Sequence, residues 1–460
     1  MSKQRISLMN QFGLIALLPA LVGVLYVILC TTSALGQVMV RPGPPKVIDA
    51  LMQAEIIDSV SASLNDTYVF PDVAKAMEKH IRKQYRDQAY KNLTDLLAFT
   101  QQLTQDLQSI SKDRHLTLMY LTADAPGVQS PDSLSDEDRL RQEEMAAATN
   151  YGFKKVEHLA GNVGYLKFDE FMPADIAGAT AIAAMKFLGH SEALIIDLRD
   201  NSGGRTDMIQ LVLSYFFKES VHLNSIYVRK TNSTEQYWTA SYVEGPRLTE
   251  PDIYVLTSGF TASAAEEFAY DLKSLKRATI IGETTSGRAH TVEQMLYTNL
   301  NLTAFIPNGR AINPITGTDW EGTGVKPDIE TPRDKAFNVA YLEALKKLSD
   351  KTNDPAKKAA LNWTLDGVAA DANPITVGPD ALKQFVGAYG SRMITLEDGA
   401  LYCQREGRPK YRLIPMSAEM FALEGLDIIR FRFVRDNSGN VTELIAMYND
   451  GRNEPTPRNR

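Results

Sequence analysis

The sequence is poor in the residues that staple, ligate or bind polyanions. It has two cysteines, Cys30 and Cys403, in 460 residues, too few for a disulfide framework. None of its six histidines stands in an H-E-x-x-H pattern or another paired ligand spacing, so no metal and no cofactor are expected. A basic excess is missing too: 49 lysines and arginines against 56 acids leave a formal charge of −7. That argues against a nucleic-acid partner and otherwise speaks only of solubility. Neither Walker spacing nor G-x-G-x-x-G occurs, which makes a phosphate-binding loop a poor match. There is no long internal repeat and no low-complexity tract. What remains, 44% apolar and 23% charged, is the composition of an ordinary globular chain with room for two or three domains.

The N-terminus departs from that average. Lys3 and Arg5 precede an apolar run from Phe12 to Cys30, and the small residues of "TTSALG" follow. This order predicts a secretory signal over 1–36, cut after Gly36 with Ala34 two residues before it. The alternative is an uncleaved membrane anchor, because the run is long for a signal. A lipoprotein reading fails, since Leu29 rather than a small residue precedes Cys30. Cleavage would leave Cys403 as the one cysteine of an exported, periplasmic or extracytoplasmic protein.

After the stiff "RPGPPKV" spacer, residues 44–121 carry apolar positions at three- and four-residue spacing and predict a helical domain. Pro71 and Asp72 sit where a helix starts. Polar residues 122–150, rich in Pro, Ser and Asp, read as a linker. Between 151 and 348 strands such as "NVGYLKF", "EALIIDLR", "SIYVRK", "DIYVLTS" and "RATIIGE" alternate with helical stretches, the pattern of an α/β core with a mainly parallel sheet. A second polar linker, or a ragged helix, is expected at 349–378. Short alternating strands joined by "EDG" and "DNSGN" then predict a small antiparallel β domain at 379–456.

Chemistry is sought first in "GFTASAAEEFAYDL". Ser263 at a helix start is ordinarily an N-cap. It also follows a buried strand, where open α/β sheets place their sites. Small neighbours leave its hydroxyl approachable, and the helix aims free N–H groups at the same point. If Ser263 is a nucleophile, Thr261 becomes the better candidate for the cap. A base is needed, and His115 in "KDRH" and His290 in "TSGRAH" are the two candidates with suitable surroundings. Gly203 and Gly204 end a buried strand in a tight turn and could offer an oxyanion N–H. Glu321 in "DWEGTG" is by default an exposed loop acid; beside a histidine it would orient the imidazole.

Taken together, "DRHL", "GYLKFDEF", "LIIDLRDNSGG", "YVLTSGFTASAAEEFAYDL", "ATIIGETTSGRAH" and "WEGTGVKPDI" resemble the C-terminal-processing (tail-specific) serine peptidase family. The likeness is to its branch related to tricorn protease and interphotoreceptor retinoid-binding protein, and it spans residues 46–345. It implies a crotonase/Clp-protease-like superhelix of β-β-α units, with an N-terminal helical domain and a C-terminal antiparallel β domain. It further implies Ser263 as nucleophile, His115 as base and Glu321 as its supporting acid, with oxyanion donors at Ala264 and at Gly203 or Gly204. The partner implied is a peptide or an unfolded protein tail. Two departures stand out. The processing branch uses a lysine base where this chain has Arg288, and arginine stays charged near neutral pH. The tricorn-like site carries a serine where this chain has Arg114. The stretch after "TLMYL" is also too short for the PDZ domain of many relatives. A rival reading is a non-catalytic binder of apolar ligands, as the retinoid-binding relatives suggest.

Overall fold

The computed structural model describes residues 46–121 and 136–459. The expected leader, or anchor, and residues 122–135 of the expected linker lie outside the described residues. All described residues belong to one compact unit. Among them no helix is long and apolar enough to cross a membrane.

Three helices come first: α1 (Ala50–Thr67), α2 (Pro71–Arg86) and α3 (Leu96–Ser111). β1 (Thr117–Tyr120) and α4 (Asp136–Ala148) follow. The central region runs β2 (Phe153–Leu159), β3 (Val163–Phe168), α5 (Ala174–Phe187), β4 (Ala193–Asp197), α6 (Thr206–Leu213), β5 (His222–Val228), β6 (Ser233–Trp238), β7 (Asp252–Thr257), α7 (Ala264–Ser274) and β8 (Ala278–Gly282). A hairpin of β9 (Thr291–Tyr297) and β10 (Leu302–Ile312) leads to β11 (Ile329–Glu330), α8 (Ala336–Lys351), α9 (Pro355–Ala372) and α10 (Pro379–Phe385). The chain ends in β12 (Gly387–Tyr389), β13 (Arg392–Glu397), β14 (Ala400–Arg405), β15 (Lys410–Pro415), β16 (Met420–Leu423), β17 (Leu426–Arg435), β18 (Val441–Tyr448) and β19 (Asn453–Pro457).

The main sheet has the order β11-β8-β7-β4-β3-β2. It is parallel except for β2, which pairs antiparallel with β3. Its central strands are covered on both faces, which is why "ALIID" and "DIYVLT" read as continuous apolar runs. Side chains alternate: Leu194 and Ile196 face the layer of α5, α6 and α7, while Ala193 and Ile195 face α8. The C-terminal edges of β4 and β7 carry the double-glycine turn and the loop to Ser263.

The structure departs from the sequence reading in several places. "SIYVRK" does not join the parallel sheet; β5 enters a second sheet of order β1-β10-β5-β6, with β9 also on β10. This sheet shares its core with the N-terminal helices, where Ile56, Met77 and Phe99 pack with Leu302 and Ile306. The helical segment therefore has no separate core. The expected linker at 349–378 is mostly α9, capped by Asp354. One face of α9 meets α8 through Leu361, which packs with Leu345 and Leu348. Leu361 is the one residue of α9 buried outright, so the helix reads as polar chain. Likewise the second half of the 122–150 linker contains α4.

The C-terminal strands form an antiparallel meander from β12 to β19. Tyr389 bridges to Arg458, and the Asn459 N–H donates to the Ala388 carbonyl at 2.8 Å. First and last strands therefore meet, and the meander curls into a barrel. Phe385, Tyr389, Phe421, Phe431 and Phe433 fill it, as side chains alone can at eight strands.

Candidate active site

Ser263 occupies the N-cap position of α7 with φ 54° and ψ −123°. That is the first corner of a type II′ turn, a place glycine usually takes. A serine held there costs about 1–3 kcal/mol and persists only where its surroundings enforce it. Glu266 is the main enforcer. Fully buried, its Oε2 accepts from the N–H groups of Ser263 (2.9 Å) and Arg288 (2.9 Å) and from Ser286 Oγ (3.0 Å). Its Oε1 accepts from Thr285 Oγ1 (2.5 Å) and the Gly287 N–H (2.7 Å). One carboxylate thus ties the nucleophile turn to the loop after β8. Thr261 is not the cap: its hydroxyl donates to the Leu198 carbonyl and accepts from the Ser258 N–H.

Gly203 lies against the serine. A Cβ on Gly203 would sit 2.7 Å from Ser263 Cβ and 3.1 Å from the Ala264 nitrogen, at a φ of +111°. Only glycine fits. Its N–H, however, donates to Asn201 Oδ1 at 2.9 Å, while the Asn201 carbonyl accepts from the Ala262 N–H. Gly203 is therefore the spacer and is not free as a donor. The Gly204 N–H has no acceptor among the described residues, and the Ala264 N–H, first in its helix, has none within it.

The structure brings His115 and Glu321 near each other, with Asp113 and His290 paired beside them. Oxygen or nitrogen atoms of Asp113, His115 and Glu321 lie within 4.8 Å of one another. Asp113 Oδ2 pairs with His290 Nδ1 at 2.6 Å, and Glu321 Oε2 lies 3.6 Å from the same nitrogen. Glu321 Oε2 also accepts from the N–H groups of Ala289 and His290. Glu321 is therefore no exposed loop acid. Phe70 meets the His290 ring edge-on at 5.7 Å.

The pKa values of the two imidazoles are shifted in opposite directions. Burial pulls the His115 pKa down to about 4, with Arg288 and His290 pushing the same way against Asp113. His115 is neutral at neutral pH. Burial also acts on His290, but the Asp113 hydrogen bond and charge outweigh it and raise its pKa. Glu321 is raised to about 7, first by burial and then by Asp113, with His290 opposing. His115 Nδ1 and Glu321 Oε1 are both buried without a partner. No hydrogen bond joins Ser263 Oγ to either imidazole among the described residues; Arg114 Nη1 to the Ser286 carbonyl, 2.9 Å, bridges the two sides. Asp113, His115 and Glu321 are close enough to converge on a metal, with Asp113 Oδ2 also paired to His290 Nδ1.

Behind the nucleophile, Glu267 and Asp271 are buried one turn apart on α7. Asn224 and Thr206 donate to Glu267, and Asn313 to Asp271. Burial raises Glu267 to about 7, and burial together with Glu267 raises Asp271 further. A surface concavity of about 960 Å³ lies elsewhere, along α5 between Ala174 and Phe187, and contains none of these residues.

Asp113 and Glu266 were not singled out from sequence. Glu266 was within reach: Ser263 followed by Glu three residues on is a capping-box spacing. Asp113, two residues before His115, carried no such signal.

Comparison with known proteins gives the same direction. Residues 162–331 match the model of peptidase family S41, and residues 50–154 match that of the N-terminal domain of peptidase S41 in eukaryotic IRBP. The carboxy-terminal processing protease CtpB of Bacillus subtilis is 26% identical over 243 residues, 51% of this chain and 47% of that protein. A carboxy-terminal-processing protease of Bartonella bacilliformis is 29% identical over 253 residues, 49% of this chain and 56% of its own length. The chain spans about half the length of the curated relatives it matches. Among solved structures, mature CPAF superposes with a TM-score of 0.45 at 12% identity, covering 68% of this chain and 98% of that one. A peptidase from Parabacteroides merdae gives 0.44 at 16% identity, covering 62% and 90%.

Proposed function

The chain belongs to peptidase family S41, and on that premise we propose that it is a serine peptidase cutting peptides or unfolded protein tails through an acyl-enzyme. The observation that carries the reading is the enforced turn at Ser263, a costly backbone state at the start of α7, whose first N–H, that of Ala264, has no acceptor within the helix. In this reading Ser263 Oγ attacks the scissile carbonyl and His115 takes its proton. The C–N bond then breaks, His115 protonates the leaving amine, and water hydrolyses the ester by the same base.

His115 is preferred to His290 because a base must be neutral before it can accept a proton: burial keeps His115 neutral, whereas Asp113 favours the charged form of His290. Glu321 supports His115 if the unpartnered Nδ1 and Oε1 close on each other. The N–H groups of Ala264 and Gly204 receive the oxyanion, worth about 3 kcal/mol per donor. Export belongs to the same reading; N-terminal sequencing of secreted protein is expected to begin at Gln37.

The test is labelling by a fluorophosphonate probe. Wild type is expected to label at one serine, and Ser263→Ala to abolish it. A folded wild type that labels no faster than Ser263→Ala ends the peptidase reading and favours the apolar-ligand carrier.

A further inference from the structure

Ser263 and His115 stand on different hydrophobic cores. Ala264 and Phe268, which follow the serine, pack with the main sheet. Leu107 and Leu116, on either side of Asp113 in sequence, pack with the N-terminal helices and β10. Among the described residues two polar contacts tie the segment after α3 to the loop after β8. Arg114 Nη1 donates to the Ser286 carbonyl at the surface. Asp113 pairs with His290 in the interior, their side chains 1% and 5% exposed.

The buried pair lies in the middle of a continuous run of bonds. Asp113 Oδ1 accepts from the His115 N–H at 3.0 Å. Asp113 Oδ2 accepts from His290 Nδ1 at 2.6 Å and from the Tyr68 hydroxyl at 3.3 Å. His290 lies two residues beyond Arg288, whose N–H shares Glu266 Oε2 with the Ser263 N–H. Hydrogen bonds and a short stretch of chain thus lead from His115 to Ser263. Burial opposes charge on His290, while the Asp113, Glu321 and Asp319 carboxylates favour it.

We propose that Asp113 and His290 are positioning residues, a buried clasp that sets His115 at its distance from Ser263. This rests on the peptidase reading and adds how that site is held across the seam between two cores. A charge-assisted bond of this kind is short and directional, and a misplacement of about 1 Å in a catalytic group can cost about a hundredfold in rate.

The experiment measures fluorophosphonate labelling of Ser263 per folded full chain, together with melting temperature. His290→Asn keeps a donor where Nδ1 stands and is expected to label within about threefold of wild type. His290→Leu keeps apolar bulk without the donor. It should label about a hundredfold more slowly and melt lower, because Asp113 becomes a buried unpaired charge. Adding Asp113→Asn to His290→Leu removes that charge and keeps an oxygen for the His115 N–H. This double variant should regain most of the melting temperature and none of the rate. If His290→Leu does not fold, the double variant measured against His290→Asn decides. A rate that recovers with stability in the double variant, or never falls in His290→Leu, overturns the clasp. A rate as low in His290→Asn as in His290→Leu also overturns it, since His290 would then be the base itself. Failure of wild type to label overturns the peptidase reading and the clasp with it.

Discussion

The two sides of the site differ in how completely their polar atoms are used. On the serine side Glu266 gathers five donors, Asn201 locks the glycine turn, and Gly203 leaves no space beside Ser263. On the imidazole side His115 Nδ1, Glu321 Oε1 and Arg288 Nε are buried with nothing to bond. The serine side is built on one sheet edge and one helix. The imidazole side spans a seam, with Asp113 and His115 entering after α3 and His290 and Glu321 coming from loops around the β9–β10 hairpin. Unmade buried bonds cost about 1–3 kcal/mol each. The comparison teaches that the Ser263 turn is fully braced, whereas the imidazole side is left with polar bonds unmade.

The largest expected effect comes from attacking the saturated side. Glu266→Ala should lose about 3 kcal/mol or more of stability, because several buried donors lose their acceptor at once. Labelling of Ser263 should fall by about a hundredfold as the turn relaxes. Urea denaturation and labelling rates check both; a variant as stable as wild type would show that the turn holds itself.

A smaller and more selective effect is expected on the other side. His115 is neutral above about pH 4, whereas Glu321 ionises near 7, so labelling by wild type should rise with pH through about 7. Glu321→Gln should cut the rate by roughly a hundredfold or more, move the acid limb toward the His115 value, and leave stability nearly unchanged. A limb that stays near 7 in Glu321→Gln would assign it to another group and break the contrast.

The smallest effect tests the layer behind the serine. Glu267 has an ordinary value of 4.5 and a folded value of about 7. Between these the folded chain keeps a proton that the unfolded chain has released, so stability falls as pH rises across that window and stays reduced above it. The raised pKa of His290 acts in the same sense, since its stabilising charge is lost as pH rises. Melting temperature should therefore drop from pH 5 to pH 8, and Glu267→Gln should flatten part of that drop. An equally steep drop in the variant would remove Glu267 from the account.

Much of the architecture was legible from local signals. The parallel strands announced themselves as apolar runs, Pro71 marked a helix start, and the "EDG" and "DNSGN" turns marked the C-terminal hairpins. The failures have physical causes. α9 buries only Leu361 outright, so its pattern carries little periodicity. β5 looks like any other strand of the core, because hydrophobic alternation says nothing about which sheet it joins. The α3 helix and its neighbours looked like a domain because periodicity cannot show that their core is completed by β10.

The same division holds for the site. By itself the sequence determined the serine at a strand-to-helix turn, the glycines facing it, and which histidines and acids were available, since these follow from local backbone chemistry and residue type. The tertiary structure alone decided that Asp113 raises the His290 pKa while burial keeps His115 neutral, that the Gly203 N–H is already taken, and that Arg288 Nε is buried without an acceptor. Those are properties of groups far apart in sequence, fixed by burial and by the charge that folding puts beside them.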